Sequence, residues 1–241
     1  MKRLFTTSLL FLLGFGAFAP ATEAHLRPDA TPLKAIQTKA TTAKAAVAQK
    51  AATVNAQQLA KLLEQQMLAG SAVSMKFKIK GGDQVSVTAD MNSKKVRIES
   101  NSMTIVSDGQ TVWNYQKKNN QVTIDALGNG RGSALSNPRD LFLFATHYTP
   151  SLVSSKGNNH VLALVPNQKV QSILQSAGGV NKLTFTLGLA KEKVTIKSAT
   201  AESKGQNIET GGLTVKSLKS VKASEFTFAT PKGAKVIDLR E

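Results

Sequence analysis

The sequence predicts an α+β domain built around a meandering antiparallel sheet. Three observations predict it. Apolar and polar residues alternate with a period of two in segment after segment from Ala72 to Phe228, with turn signals at roughly ten-residue spacing. Two apolar helical stretches, opening at Asn55 and Asn137, flank and interrupt that alternation. Met103 to Gln116 reads strand, tight turn, strand, because Gly109 takes positive φ without penalty and Asp108 tolerates it. Trp113, the only tryptophan, and Tyr115, one of two tyrosines, share one face of the second of these strands, and Val112 and Asn114 the other.

Composition narrows the class. A chain of 241 residues suits one domain with tails. Hydrophobic residues make up 41% and aromatics only 5%, so the core is mostly aliphatic. The absence of cysteine excludes disulfides, thiolate metal sites, a cysteine nucleophile and the acylated cysteine of a bacterial lipoprotein. The formal net charge of +16 favours anionic partners or a solvated lysine surface. Lysines and arginines are not interleaved with aromatics, which argues against nucleic acid.

Residues 1–24 read as a secretory signal. Lys2 and Arg3 precede an apolar run from Leu4 to Ala19 that is short and glycine-interrupted for a membrane span, and Thr22-Glu23-Ala24 offers a cleavage site after Ala24. The mature protein is therefore expected to be exported and soluble. Residues 25–52 are rich in Ala, Thr and Lys and lack apolar periodicity, which makes them a flexible linker. The domain is expected over 53–241.

Within it, Asn55 caps a helix with Gln58 three residues on; Leu59, Leu62, Leu63 and Met67 form its apolar face, and Gly70 is expected at C′. Val73, Met75, Phe77 and Ile79 then alternate with Ser74, Lys76, Lys78 and Lys80, giving one dry face and one lysine face. Val85, Val87 and Ala89 mark the next strand, Val96 and Ile98 a third, and Gln121 to Ala126 the strand after the central hairpin. Gly128, Gly130 and Gly132 match no phosphate-binding fingerprint and read as a loop. Asn137 and Pro138 open a second helix with an apolar body, Leu141 to Ala145, which suits either a plug between sheet and lid or an ordinary core helix. Strands follow at His160 to Val165, at Leu183, Phe185 and Leu187, at Val194 and Ile196, at Leu213 and Val215, and at Phe226 and Phe228, with a short helix at Gln168 to Ser176.

The residues offer little chemistry. His25, His147 and His160 have no metal-ligand spacing, the carboxylates are scattered singly, and no G-x-S-x-G elbow is present. No metal, no cofactor and no enzymatic activity are expected.

Val106-Ser-Asp-Gly-Gln-Thr-Val-Trp-Asn-Tyr115 with Gln121-Val-Thr123, and the ending Glu225-Phe-Thr-Phe-Ala-Thr-Pro-Lys-Gly-Ala-Lys-Val-Ile-Asp238, resemble the central hairpin and C-terminal motif of LolA-type outer-membrane lipoprotein carrier proteins. The resemblance covers about 55 to 240. It implies a curved, incomplete antiparallel β-barrel, a half-barrel covered by two or three α-helices. It implies a monomeric periplasmic carrier that takes acyl chains of lipoproteins, or another lipid, from an inner-membrane releasing complex to an outer-membrane acceptor. The alternative is a lipid- or lipoprotein-sensing regulatory domain of the same fold. The wall of the cargo cavity, or the core around it, would draw on Met75, Phe77, Ile79, Val96, Ile98, Trp113, Tyr115, Phe142, Phe144, Leu183, Phe185, Phe226 and Phe228; both are apolar, so the sequence does not sort one from the other. The family's lid-holding arginine usually stands in a Lys-Arg-Pro context shortly before the hairpin. Here that stretch is Ser93-Lys-Lys-Val-Arg-Ile98, and Lys95 and Arg97 are the latch candidates.

Overall fold

A computed structural model describes residues 54–80, 82–128, 136–176, 180–203 and 206–240. The signal, the linker, His25, Gly130 and Gly132 lie outside the described residues. Helix α1 spans Ala56–Met67 and α2 Gln168–Ser176. The strands are β1 Ala72–Ile79, β2 Gln84–Asp90, β3 Val96–Ser100, β4 Met103–Ser107, β5 Thr111–Gln116, β6 Gln121–Ala126, β7 Tyr148–Lys156, β8 Asn159–Pro166, β9 Val180–Ala190, β10 Lys193–Ser203, β11 Gln206–Leu218 and β12 Lys235–Asp238. Among the described residues no helix is long and apolar enough to cross a membrane.

The strands make one sheet in the order β12-β6-β5-β4-β3-β2-β1-β11-β10-β9-β8-β7. Every pairing is antiparallel except β12 with β6. The edge strands β12 and β7 do not meet, so the sheet is open. Hairpins build most of it, and β11 joins the two meanders by pairing with β1. The central turn forms as its residues dictate: Gly109 sits at φ 96°, and Asp108 Oδ1 accepts from the Gln110 and Thr111 amides at 2.9 and 2.8 Å.

Register assigns the faces. Met75, Val87, Ile98, Ile105 and Asn114 lie directly opposite one another along one row and define the inner face. The next row in β1 to β5, Lys76, Ser86, Glu99, Thr104 and Tyr115, is on the outer face. Helix α1 lies over the inner face against β7, β8, β10 and β11. Asn55 caps it as expected, accepting from the Gln58 amide at 2.8 Å. Leu59, Leu63 and Met67 are buried beneath it. A helix of this length is marginal alone; burying these side chains contributes about 1.5–3 kcal/mol each, an upper bound.

Several sequence expectations change. The helix ends at Leu68, whose amide bonds the Glu64 carbonyl, so Gly70 is not its C′ residue. Gly70 is needed for a close approach: a Cβ there would stand 2.1 Å from the Leu218 carbonyl oxygen. The stretch from Pro138 forms a short 3-10 helix, Pro138–Phe142, and Asn137 makes no side-chain cap bond. Phe226 and Phe228 do not form a strand: Phe226 closes another 3-10 turn, Ala223–Phe226, and Phe228 follows in unpaired extended chain. Two elements carried no recognised sequence signal: β7, an edge strand with Pro150 and several serines, and β12, which pairs in parallel at the far edge.

Gly70→Ala is expected to lower stability by about 1–3 kcal/mol, the cost of forcing a methyl group into occupied space. Urea unfolding measures it as a lower midpoint at unchanged slope.

An apolar hollow under the helical cover

The inner face carries a hollow lined by Met67 of α1, Met75 and Phe77 of β1, Leu141, Phe142, Phe144 and Tyr148, Leu174 of α2, Val180, Leu183 and Phe185 of β9, Ala199, Leu213 and Val215. Its free volume is about 50 Å³. Phe144 packs against three other rings of the lining. Its ring centroid lies 6.2 Å from Phe142, 5.6 Å from Tyr148 and 5.7 Å from Phe185, the Phe142 and Phe185 pairs meeting edge to face. The lining side chains carry one polar group, the Tyr148 hydroxyl. It donates to the Leu141 carbonyl at 3.0 Å, and burial pushes its pKa well above the usual phenol range.

Polar contacts tie the cover down at its rim. The Ala145 amide donates to Glu64 Oε2 of α1 at 2.9 Å, and Gln57 Nε2 of α1 donates to the Ala145 carbonyl at 2.8 Å. Two side chains of α1 thus hold both backbone polar groups of one residue of the plug segment. Asp140 is buried, pairs with Lys169 Nζ of α2 at 3.0 Å, and has His147 Nδ1 at 3.8 Å. Gln66 Oε1 accepts from the Val194 amide at 3.0 Å, anchoring the end of α1 to β10.

Of the residues the sequence nominated for a cavity, Met75, Phe77, Phe142, Phe144, Leu183 and Phe185 line the hollow. Ile79, Val96 and Ile98 are buried in the same inner core without lining it. Trp113, Tyr115, Phe226 and Phe228 do not belong to it. Trp113 and Tyr115 point to the outer face, where Phe228 stacks 6.1 Å from Trp113 and lies 6.4 Å from Tyr115. Their strand presents Val112 and Asn114 inward instead, both buried. Neither latch candidate reaches the cover. Arg97 Nη1 donates to the Glu225 and Thr227 carbonyls at 3.4 and 3.2 Å, and its guanidinium pairs with Glu99, all on the outer face. Lys95 sits beside the Gly109 turn, with its carbonyl bonded by the Asp90 amide.

The contacts that do hold the cover, Gln57 and Glu64, gave no sequence signal beyond lying on the polar side of an amphipathic helix. His147 and His160 stand at opposite ends of the β7–β8 hairpin, and the Ser155 hydroxyl meets His160 Nδ1 at 3.0 Å. Among the described residues no group of His, Asp and Glu could hold a metal ion.

No family model matches the chain, and no curated protein matches it. Among solved structures it is similar to an uncharacterized conserved protein from Thermus thermophilus, with a TM-score of 0.44 and 14% identity over 76% of this chain and 98% of that one. It is similar also to MucB in complex with MucA(peri), with a TM-score of 0.30 and 15% identity over 73% of this chain and 61% of that one. The MucA/MucB complex of Pseudomonas aeruginosa gives a TM-score of 0.29 and 15% identity over 72% of this chain. The chain spans 61% of the MucB chains it matches.

Glu64→Ala is expected to speed hydrogen exchange of the Ala145 amide about fivefold, since it removes one charge-assisted bond at a half-exposed site worth roughly 1 kcal/mol. Exchange of the β2–β3 amides is expected to stay unchanged.

Proposed function

We propose that this chain is an exported binding protein for a hydrocarbon tail, a periplasmic carrier that shuttles acyl chains of lipoproteins, or another lipid, towards the outer membrane. The observation that carries this reading is an apolar hollow between the sheet and a cover, with hydrogen bonds to that cover placed at its rim. The export signal read over 1–24 supports the location.

The hollow is closed in this state. Its free volume of about 50 Å³ is far below the roughly 300 Å³ at which small-molecule pockets begin. A guest therefore enters by displacing the plug, and Phe144 is the group that moves. Taking a buried phenylalanine out of its packing costs about 3–5 kcal/mol. Burying a methylene contributes about 0.8 kcal/mol, so a chain of six or so offsets that cost. Short or polar molecules do not open the cover; long acyl chains do. Met67 and Met75 in the lining adapt to a guest of varied shape, because methionine changes rotamer easily. The affinity left after opening is modest, which a carrier needs for release. No bond-making step belongs to this reading.

Binding of a fluorescent fatty acid tests it. Phe144→Ala is expected to tighten binding of a ten-carbon probe, while Ala199→Phe, which overfills the hollow, abolishes it, a cooperative melt at a lower midpoint showing that the variant still folds. Protein isolated gently from its native envelope is expected to release lipid on organic extraction, seen by mass spectrometry, and to move labelled lipid between vesicles. Repeated preparations free of lipid, together with no saturable binding of the probe, would remove the proposal. Binding without transfer would instead mark a sensing domain.

A further inference from the structure

Antiparallel alternation gives the sheet two rims, and their charges differ. At the rim where β7 ends, β9 and β11 also end, and β8 and β10 begin. That rim carries Lys156 at the end of β7, Lys191 and Lys193 at the β9–β10 turn, and Lys216 and Lys219 at the end of β11, all exposed. None of these lysines has an ion-pair partner among the described residues. The carboxylate on these turns is Glu192. At the other ends of the same strands the lysines are paired: Lys182 of β9 with Glu202 of β10 at 2.5 Å, and Lys80 of β1 with Glu209 of β11 at 2.9 Å. Unpaired positive charge therefore collects at one end of β7 to β11.

The turns that carry it are tied together. The Leu189 amide donates to the Asn158 carbonyl at 2.8 Å, joining β9 to the β7–β8 turn. The Lys197 ammonium of β10 donates to the Asn159 side chain at the start of β8. Four strand spacings separate β11 from β7, about 19 Å. The lysines thus stand along a line set by the backbone rather than in a pocket.

The composition of the rim selects its partner. The stretches 156–159, 190–193 and 216–219 contain no arginine and no aromatic residue. Protein interfaces favour arginine and aromatics and are depleted in lysine. Single-stranded nucleic acid needs rings on which its bases stack. Lysine is a compact point charge on a flexible stem and demands no fixed partner geometry, which suits phosphate head groups that shift laterally. A row of lysines is drawn to an anionic bilayer by charge alone, each one adding to the attraction. The chain's net charge of +16 acts in the same direction. We propose that this rim docks the protein on the surface of an anionic phospholipid bilayer. The docking needs the rim alone and does not depend on what the hollow holds.

Cosedimentation of the full chain with vesicles tests this. Binding is expected to vesicles of equal parts phosphatidylcholine and phosphatidylglycerol, and not to phosphatidylcholine alone. It is expected to be lost as salt rises to about 1 M, where the screening length falls to about 3 Å. Lys156→Gln/Lys191→Gln/Lys193→Gln is expected to weaken it about a hundredfold. Lys76→Gln/Lys78→Gln/Lys118→Gln removes the same charge from exposed lysines away from this rim, and is expected to bind within about threefold of the unaltered chain, since distant charges are screened. Cooperative melts by circular dichroism check that both variants fold. Four outcomes overturn the proposal: no binding to the anionic vesicles, equal binding to phosphatidylcholine alone, equal weakening by the two triple variants, or duplex DNA or polyglutamate bound through the same rim lysines more tightly than the vesicles.

Discussion

A wide sheet that does not close has two faces to keep from water, and this chain covers them by different means. The inner face is roofed by helices and a plug whose apolar side chains interdigitate with the sheet's. Over β3 to β5 the outer face is roofed by the chain's own C-terminal strap. Strand β4 records both coverings, because all five of its residues are buried although side chains alternate across a strand. Without the strap, Val106 and Trp113 would face solvent; without α1, so would Met75 and Phe77. Stability thus depends on segments distant in sequence arriving on opposite sides of one sheet.

The two coverings differ in how they are held, and that difference separates their roles. The strap is fixed by an arginine gripping carbonyls, an aromatic stack and a parallel strand at its end, and these contacts are distributed along its length. The inner cover rests on non-directional apolar packing, with few polar contacts at the rim and one hydroxyl inside. Apolar packing tolerates replacement by another hydrocarbon of similar bulk, whereas a directional bond does not. On the function proposed above, the inner covering is the one that yields to a guest.

Much of the fold was legible from local pattern. The β1 alternation, the Asn55 cap, the Asp108-Gly109 turn and the helix at 168–176 rest on interactions within a few residues, and the structure shows them. The candidate site was legible in half. Met75, Phe77, Phe142, Phe144, Leu183 and Phe185 line the hollow because apolar residues of inward-facing rows, and of the plug segment, meet there. Trp113 and Tyr115 share one face of β5 and stand among the residues expected in the cavity wall or core. The structure turns them outward and buries Asn114 instead. Periodicity identifies which residues share a face but not which face is the core. Strand β7 carries no strand pattern in the sequence because its proline, serines and exposed residues are those of an edge.

By itself, the sequence determined the period, the turns, the helix cap and the division of residues into two sets per strand, since these depend on backbone sterics and neighbours in the chain. Only the tertiary structure decided which set is inside, that Gly70 serves a close approach rather than a helix end, that Gln57 and Glu64 hold the plug, and that Arg97 grips the strap. Each of those is a contact between groups far apart in sequence, 128 positions in the case of Arg97 and Glu225. No local rule encodes such a contact, because its partner is chosen when the sheet brings distant backbone within bonding distance.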